Sequence, residues 1–175
     1  MKKIISLLSI IFFSYLIRDF SSLTPLVLLT ILPGFLFGIS ITIPRLAPKQ
    51  FQDYKKLLLS LVYILLWIFS LNVISAMQML TYSINDITPY LILGVISGFL
   101  ISFLFNFQFG FAKKKIAFTS IITLSILACL IFNFYYPNLD DKALNIGKQI
   151  FIWNVLVGIG LTLNKEKEMN EKKDL

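Results

Sequence analysis

Three amides and an indole have the most to offer a ligand in this sequence: Asn72, Asn133 and Asn154, with Trp153 beside the last. An amide both donates and accepts hydrogen bonds, and an indole carries one N–H donor on an otherwise apolar ring. All four lie in long apolar runs, and an apolar wall with a few polar groups is the usual make-up of a small-molecule pocket. They predict a cup for a small neutral or weakly polar ligand, with Tyr82, Tyr90, Tyr135 and Tyr136 near its rim. A plainer reading stands beside it. Tyr and Trp collect at membrane interfaces, and Asn bonds across packed helices.

Covalent and metal chemistry have little to work with. The sequence has no His, one Cys and nine Asp and Glu residues. The acids are Asp19, Asp53, Asp86, Asp140, Asp141, Glu166, Glu168, Glu171 and Asp174, all in loops, at run ends or in the C-terminal tail. Proton relays and cation pumps place ionisable residues inside the membrane, and the apolar runs here hold none. Zinc-type sites need clustered His, Cys or carboxylates. Nucleophilic catalysis needs a Ser or Cys beside a base. Cys129 reads as a small buried residue. The expectation is a non-enzymatic protein with no metal and no cofactor.

The elements that must position these amides follow from composition. The chain is 57% hydrophobic and 14% charged, against about 25% charged in soluble domains. Three runs, from Leu57 to Met77, Ile87 to Ala112 and Ile116 to Pro137, reach the roughly 20 residues that a membrane-crossing helix needs. A transmembrane barrel would show short alternating segments instead. The sequence therefore predicts an all-α, polytopic integral membrane helix bundle. Its six transmembrane helices are Ile4 to Ile17, Leu26 to Ile43, Leu57 to Met77, Thr88 to Ala112, Ile116 to Tyr136 and Gln149 to Leu163. Lys2 and Lys3 before an apolar stretch also fit a secretory signal, but no A-x-A-like cleavage site follows, and an uncleaved first span is expected.

Charge orients the bundle. Of the 16 Lys and Arg residues, only Arg18, Lys142 and Lys148 fall outside when the N-terminus is cytoplasmic. This matches the positive-inside bias and places the C-terminus in the cytoplasm as well. The basic residues are spread over separate loops rather than gathered in one patch, which argues for anionic lipid heads and against nucleic acid. Richness in Lys, Ile, Phe and Asn suggests a bacterial source with an AT-rich genome, so the expected location is the cell inner (cytoplasmic) membrane, multi-pass.

Small residues recur every fourth position. The second span has Thr30, Gly34, Gly38 and Thr42; the fourth has Gly94, Gly98, Ser102, Asn106 and Gly110; the fifth has Ser125, Cys129 and Asn133; the sixth has Asn154, Gly158 and Thr162. Such stripes let helix backbones approach closely. Gly34, Gly38, Gly94, Gly98, Ser102 and Gly158 are the expected helix-packing positions, with spans two, four and six packed inside one bundle. The fourth stripe crosses an alternating set, Phe103, Phe105, Phe107, Phe109 and Phe111, which is expected to face lipid or gaps between helices.

Pro33 predicts a bend in the second span. The loop from Pro44 to Lys56 mixes basic and aromatic residues and is expected on the membrane surface. Residues 1–164 form one transmembrane bundle and residues 165–175 a charged, flexible, solvated tail. The functional expectation is a small-molecule transporter, or the membrane-embedded substrate-capture subunit of one, with the lipid bilayer and a membrane or cytoplasmic subunit as partners. The alternative is an interaction protein without transport activity: an assembly factor, a scaffold or an immunity protein.

Overall fold

The structure, a computed structural model, describes residues 2–20, 26–45, 54–81, 87–136, 138, 142 and 144–166. Among these residues it contains six long helices: α1 (Lys2–Ile17), α2 (Leu26–Thr42), α3 (Tyr54–Thr81), α4 (Thr88–Gln108), α5 (Lys114–Tyr135) and α6 (Ile146–Leu163), with a 3-10 turn (Ile43–Arg45) finishing α2. α4, α5 and α6 are long and apolar enough to cross a membrane. Each of the six covers one of the apolar runs. A helix is the economical state for such a run, because it satisfies its own backbone hydrogen bonds without water.

The helices close into a ring. Each packs on the next in sequence, and α6 returns to α1, while α2 and α4 also touch α6 across the ring. The closest seams are α4 on α5, α2 on α3 and α1 on α6. Glycines lie in all three. A Cβ on Gly94 would stand 2.5 Å from the Ile126 Cα, and one on Gly98 would stand 2.7 Å from the Ile122 Cα. On α2, Gly34 faces the Ile68 Cα at 2.7 Å and Gly38 the Trp67 Cβ at 2.9 Å, again measured from an added Cβ. Gly158 faces the Ile10 side chain at 3.0 Å. The stripes of α2, α4 and α6 therefore do not meet one another, although Gly98 also faces the Ser125 Cβ of the α5 stripe at 3.0 Å. Each receives the bulky face of a different neighbour, α3, α5 or α1. Ser102 is buried and donates to the Gly98 carbonyl at 2.7 Å. The Thr30 side chain lies outside the described residues.

Polar side chains are buried within an apolar core, and large apolar side chains also cover the outside. Ser6, Ser14, Ser40, Ser70, Ser97, Ser125, Gln149, Asn154 and Thr162 are buried, while Leu8, Phe12, Leu65, Phe69, Ile92, Phe99 and Phe134 are exposed. Several hydroxyls turn back on their own helices. Ser40 donates to the Leu36 carbonyl, Ser97 to Leu93 and Thr162 to Gly158, at 2.6 to 2.9 Å. This is how Ser and Thr satisfy themselves where water is absent.

The alternating phenylalanines divide. Phe103 and Phe107 point outward, but Phe105 and Phe111 are buried and stack on each other, ring centres 4.9 Å apart. The expectation that the whole set faces lipid or gaps fails for two reasons: Phe105 lies on the buried face of α4, and α4 ends at Gln108 rather than Ala112. Gly110 adopts φ 72°, a left-handed conformation that stops a helix, and the Asn106 side chain accepts the Phe111 N–H at 3.2 Å. The chain then folds back and carries Phe111 inward. Gly110 is thus a terminator rather than the last step of a packing ridge. The tail is also docked at its start: the Ala112 N–H donates to the Lys165 carbonyl at 2.9 Å, and Phe111 bridges to Glu166. Residues 167–175, and 46–53 of the loop expected on the membrane surface, lie outside the described residues.

Candidate functional site

Three polar assemblies interrupt the apolar bundle. The first is a relay across three helices. The Trp153 indole N–H on α6 donates to the Ser125 hydroxyl on α5 at 2.9 Å, and Ser125 lies 2.8 Å from the Ser97 hydroxyl on α4. Ser97 donates its own proton to the Leu93 carbonyl at 2.6 Å. The direction follows: Ser125 must donate to Ser97, so every proton in the chain has an acceptor. The relay is fully satisfied and buried, which makes it a structural clasp.

The second assembly is a crevice between α1, α2 and α6, lined by Ile10, Ser14, Pro33, Phe37, Ser40 and Asn154 among others. Its walls lie too close together to admit a water molecule. Asn154 is buried here, and its Oδ1 has no hydrogen-bond partner among the described residues. An orphaned buried acceptor costs about 1–3 kcal/mol. Native proteins rarely retain such a group without a reason. Pro33 lies on the opposing wall, where its missing N–H breaks the backbone ladder of α2. Chemically, the crevice offers the unpaired Asn154 Oδ1 beside the Ser14 and Ser40 hydroxyls, between otherwise apolar walls.

The third assembly lies where α1, α3 and α5 begin and α2, α4 and α6 end. Arg45, at the end of the 3-10 turn, has a side chain only 3% exposed. Its Nη1 donates to the Ser6 hydroxyl and to the Ile41 carbonyl, both at 2.7 Å. Its Nε donates to Glu166 Oε1 at 3.1 Å, and Nη2 stands 3.0 Å from the same oxygen. The guanidinium carbon lies 5.1 and 5.2 Å from the ring centres of Phe105 and Phe109, within cation–π range. Burial pulls the Arg45 pKa below its ordinary value, and the Glu166 charge opposes that shift; a guanidinium stays protonated throughout. Beside it the Trp67 N–H donates to Gln108 Oε1 at 3.0 Å, and Gln108 Nε2 donates to the Thr42 hydroxyl at 3.2 Å. Lys3 Nζ donates to the Asn164 carbonyl at 2.7 Å. This end thus ties α1, α2, α3, α4 and the segment after α6 together.

At the opposite end Lys142 is buried, with Nζ 4.7 Å from the centre of the Tyr90 ring. Burial lowers the Lys142 pKa.

The amides singled out by sequence are dispersed. Asn154 lines the crevice, and Asn72 and Asn133 do not. Asn72 Nδ2 donates to the Ile68 carbonyl of its own helix at 2.8 Å. Asn133 is half-buried on α5. Trp153 adjoins Asn154 in sequence but turns toward Ser125, and its ring packs 6.2 Å from that of Phe37. Tyr82 lies outside the described residues. Sequence reasoning passed over Ser14, Ser40, Ser97, Arg45 and Gln108, and read Ser125 only as a packing residue and Glu166 only as a tail acid. The hydroxyls carried a faint signal, since they recur in apolar helices at packing spacing. Arg45 and Glu166 carried none, being 121 residues apart. Among the described residues no cluster of His, Cys, Asp and Glu suits a metal ion. No protein-family model, curated protein or solved structure matches the chain.

Proposed function

We propose that this chain is a non-enzymatic membrane carrier of a small molecule, or the membrane-embedded capture subunit of a larger transporter. In this reading all six helices cross the cytoplasmic membrane, and both termini are cytoplasmic. Lys3, Arg45, Lys113, Lys114, Lys115 and Lys165 then gather at the cytoplasmic end, with Arg18, Lys142 and Lys148 at the other. That distribution supports the orientation.

The single observation that carries the reading is the unpaired Asn154 Oδ1, buried in the crevice between α1, α2 and α6. An acceptor without a donor selects a molecule that brings an N–H or O–H on an otherwise apolar body. The crevice is closed to water as it stands, so loading requires α1 and α2 to part near Pro33. A proline inside a helix is a common place for it to flex or kink.

The interaction alternative needs a small-residue stripe on the lipid-facing surface. Gly34, Gly38, Gly94, Gly98 and Gly158 all meet atoms of neighbouring helices within the chain, which weakens that alternative.

The test is native mass spectrometry of the gently extracted full chain, alongside its Asn154→Leu variant. The expected result is a small molecule retained by the wild type and lost from the variant. A ligand held equally by both would refute the site. An empty chain bound stoichiometrically to a toxin or envelope protein would refute the carrier.

A further inference from the structure

The crevice and the Arg45 assembly involve the same helices. On α1, Ser6, Ile10, Ser14 and Ile17 are the buried residues, so one face runs from the Arg45 assembly to the crevice. On α2, Ser40 lines the crevice, and Ile41, whose carbonyl Arg45 grips, follows it directly. On α6, Asn154 lines the crevice, and Glu166 follows three residues after the helix ends at Leu163. Arg45 therefore fastens all three walls at one end: Ser6 of α1, the Ile41 carbonyl of α2 and the Glu166 carboxylate after α6.

We infer that Arg45 and Glu166 form a charge-locked gate closing the cytoplasmic end of the crevice, with residues 164–166 acting as a strap that opens it. The inference rests on the carrier reading above and adds how its site is controlled.

Three features argue for a separable lock rather than a permanent part of the core. Glu166 is 26% exposed while Arg45 is 3% exposed, so water reaches the carboxylate side first. The pairing uses one carboxylate oxygen for two guanidinium nitrogens instead of the bidentate fork, the geometry in which Arg–carboxylate pairs are strongest. The rest of the strap is held by backbone and amide hydrogen bonds rather than by packed side chains: the Phe111–Glu166 bridge, the Lys165 carbonyl on the Ala112 N–H, the Asn164 carbonyl on Lys3, and the Asn164 amide on Ser120 at 2.9 Å and on the Gly160 carbonyl at 2.6 Å. When the strap lifts, Arg45 keeps Ser6, Ile41 and the two phenylalanine rings. It therefore stays lodged in α1, α2 and α4 while its tie to the end of α6 is released. A buried ion pair serves a switch well, because its attraction nearly balances the cost of its desolvation.

The experiment uses the full chain in inverted membrane vesicles. Ser14→Cys is the reporter in a Cys129→Ala background, and a membrane-impermeant maleimide is added at the cytoplasmic face. With the lock intact, Cys at position 14 should label slowly. Glu166→Gln keeps the shape and removes the charge, and should raise the labelling rate at least tenfold; Glu166→Lys should raise it at least as much. An unchanged rate in Glu166→Gln overturns the gate. A second measurement guards against unfolding. In chains that keep Ser14 and the native, buried Cys129, Glu166→Gln should leave Cys129 unlabelled. Labelling of Cys129 at the rate of position 14 would mean that the pair only holds the fold together, and would overturn the gate. No substrate enters this assay, so failure of the lock and failure of the carrier reading are told apart.

Discussion

Gly94→Ala is the sharpest test of how this bundle is built. The added Cβ would stand 2.5 Å from the Ile126 Cα, whereas ordinary carbon contacts begin near 3.5 Å. The obstacle is backbone, so no rotamer relieves it and α4 must move off α5 by roughly 1 Å at this level. The Ser97–Ser125 hydrogen bond, 2.8 Å long and one turn away, then stretches past the useful limit of about 3.5 Å. Overpacking of this kind costs about 1–3 kcal/mol, and an interhelical hydrogen bond in a membrane protein is worth about 0.6–1.7 kcal/mol. Alanine returns up to about 1 kcal/mol in helix propensity. The net loss is centred near 2 kcal/mol, a shift of roughly thirtyfold in the unfolding equilibrium. Reversible unfolding by SDS in mixed micelles measures it, with the outward-facing Val95→Ala as the neutral control. A Gly94→Ala chain as stable as the wild type would show that α4 and α5 do not pack backbone to backbone, and would refute the reasoning from small-residue stripes.

Two further tests follow from the same packing. Phe105→Ala should cost about 3–5 kcal/mol, the usual range for emptying a buried aromatic site, and should loosen Arg45. Phe107→Ala, at a ring 66% exposed, should leave stability within about 0.5 kcal/mol; equal losses in the two variants, measured by the same SDS titration, would refute the division of the phenylalanines. Trp153→Phe keeps the ring contact with Phe37 but removes the donor to Ser125. It should cost about 0.6 kcal/mol, whereas Trp153→Leu, which also loses the ring, should cost more.

The six helices were legible in the sequence because helix formation in an apolar run is decided locally. Length, hydropathy and the lack of interior charge are properties of each segment alone. The four-residue spacing of glycines was legible for the same reason, since it depends only on the helix repeat. Which neighbour each stripe meets was not, because that depends on how each helix is rotated in the ring. The stripes on α2, α4 and α6 seat α3, α5 and α1. The same rotation sends Asn72 back onto its own helix, turns Trp153 toward Ser125 and leaves only Asn154 in the crevice. The phenylalanine alternation looked uniform until Gly110 broke α4 and folded Phe111 inward.

Arg45 and Glu166 mark the boundary most clearly. In sequence they belong to a basic loop and a charged tail, both ordinary solvated segments. Their pairing brings together residues 121 positions apart and exists only once α1, α2 and α4 have formed a pocket able to hold a guanidinium. Local chemistry fixed which segments become helices; long-range packing decided which few polar atoms face one another inside them.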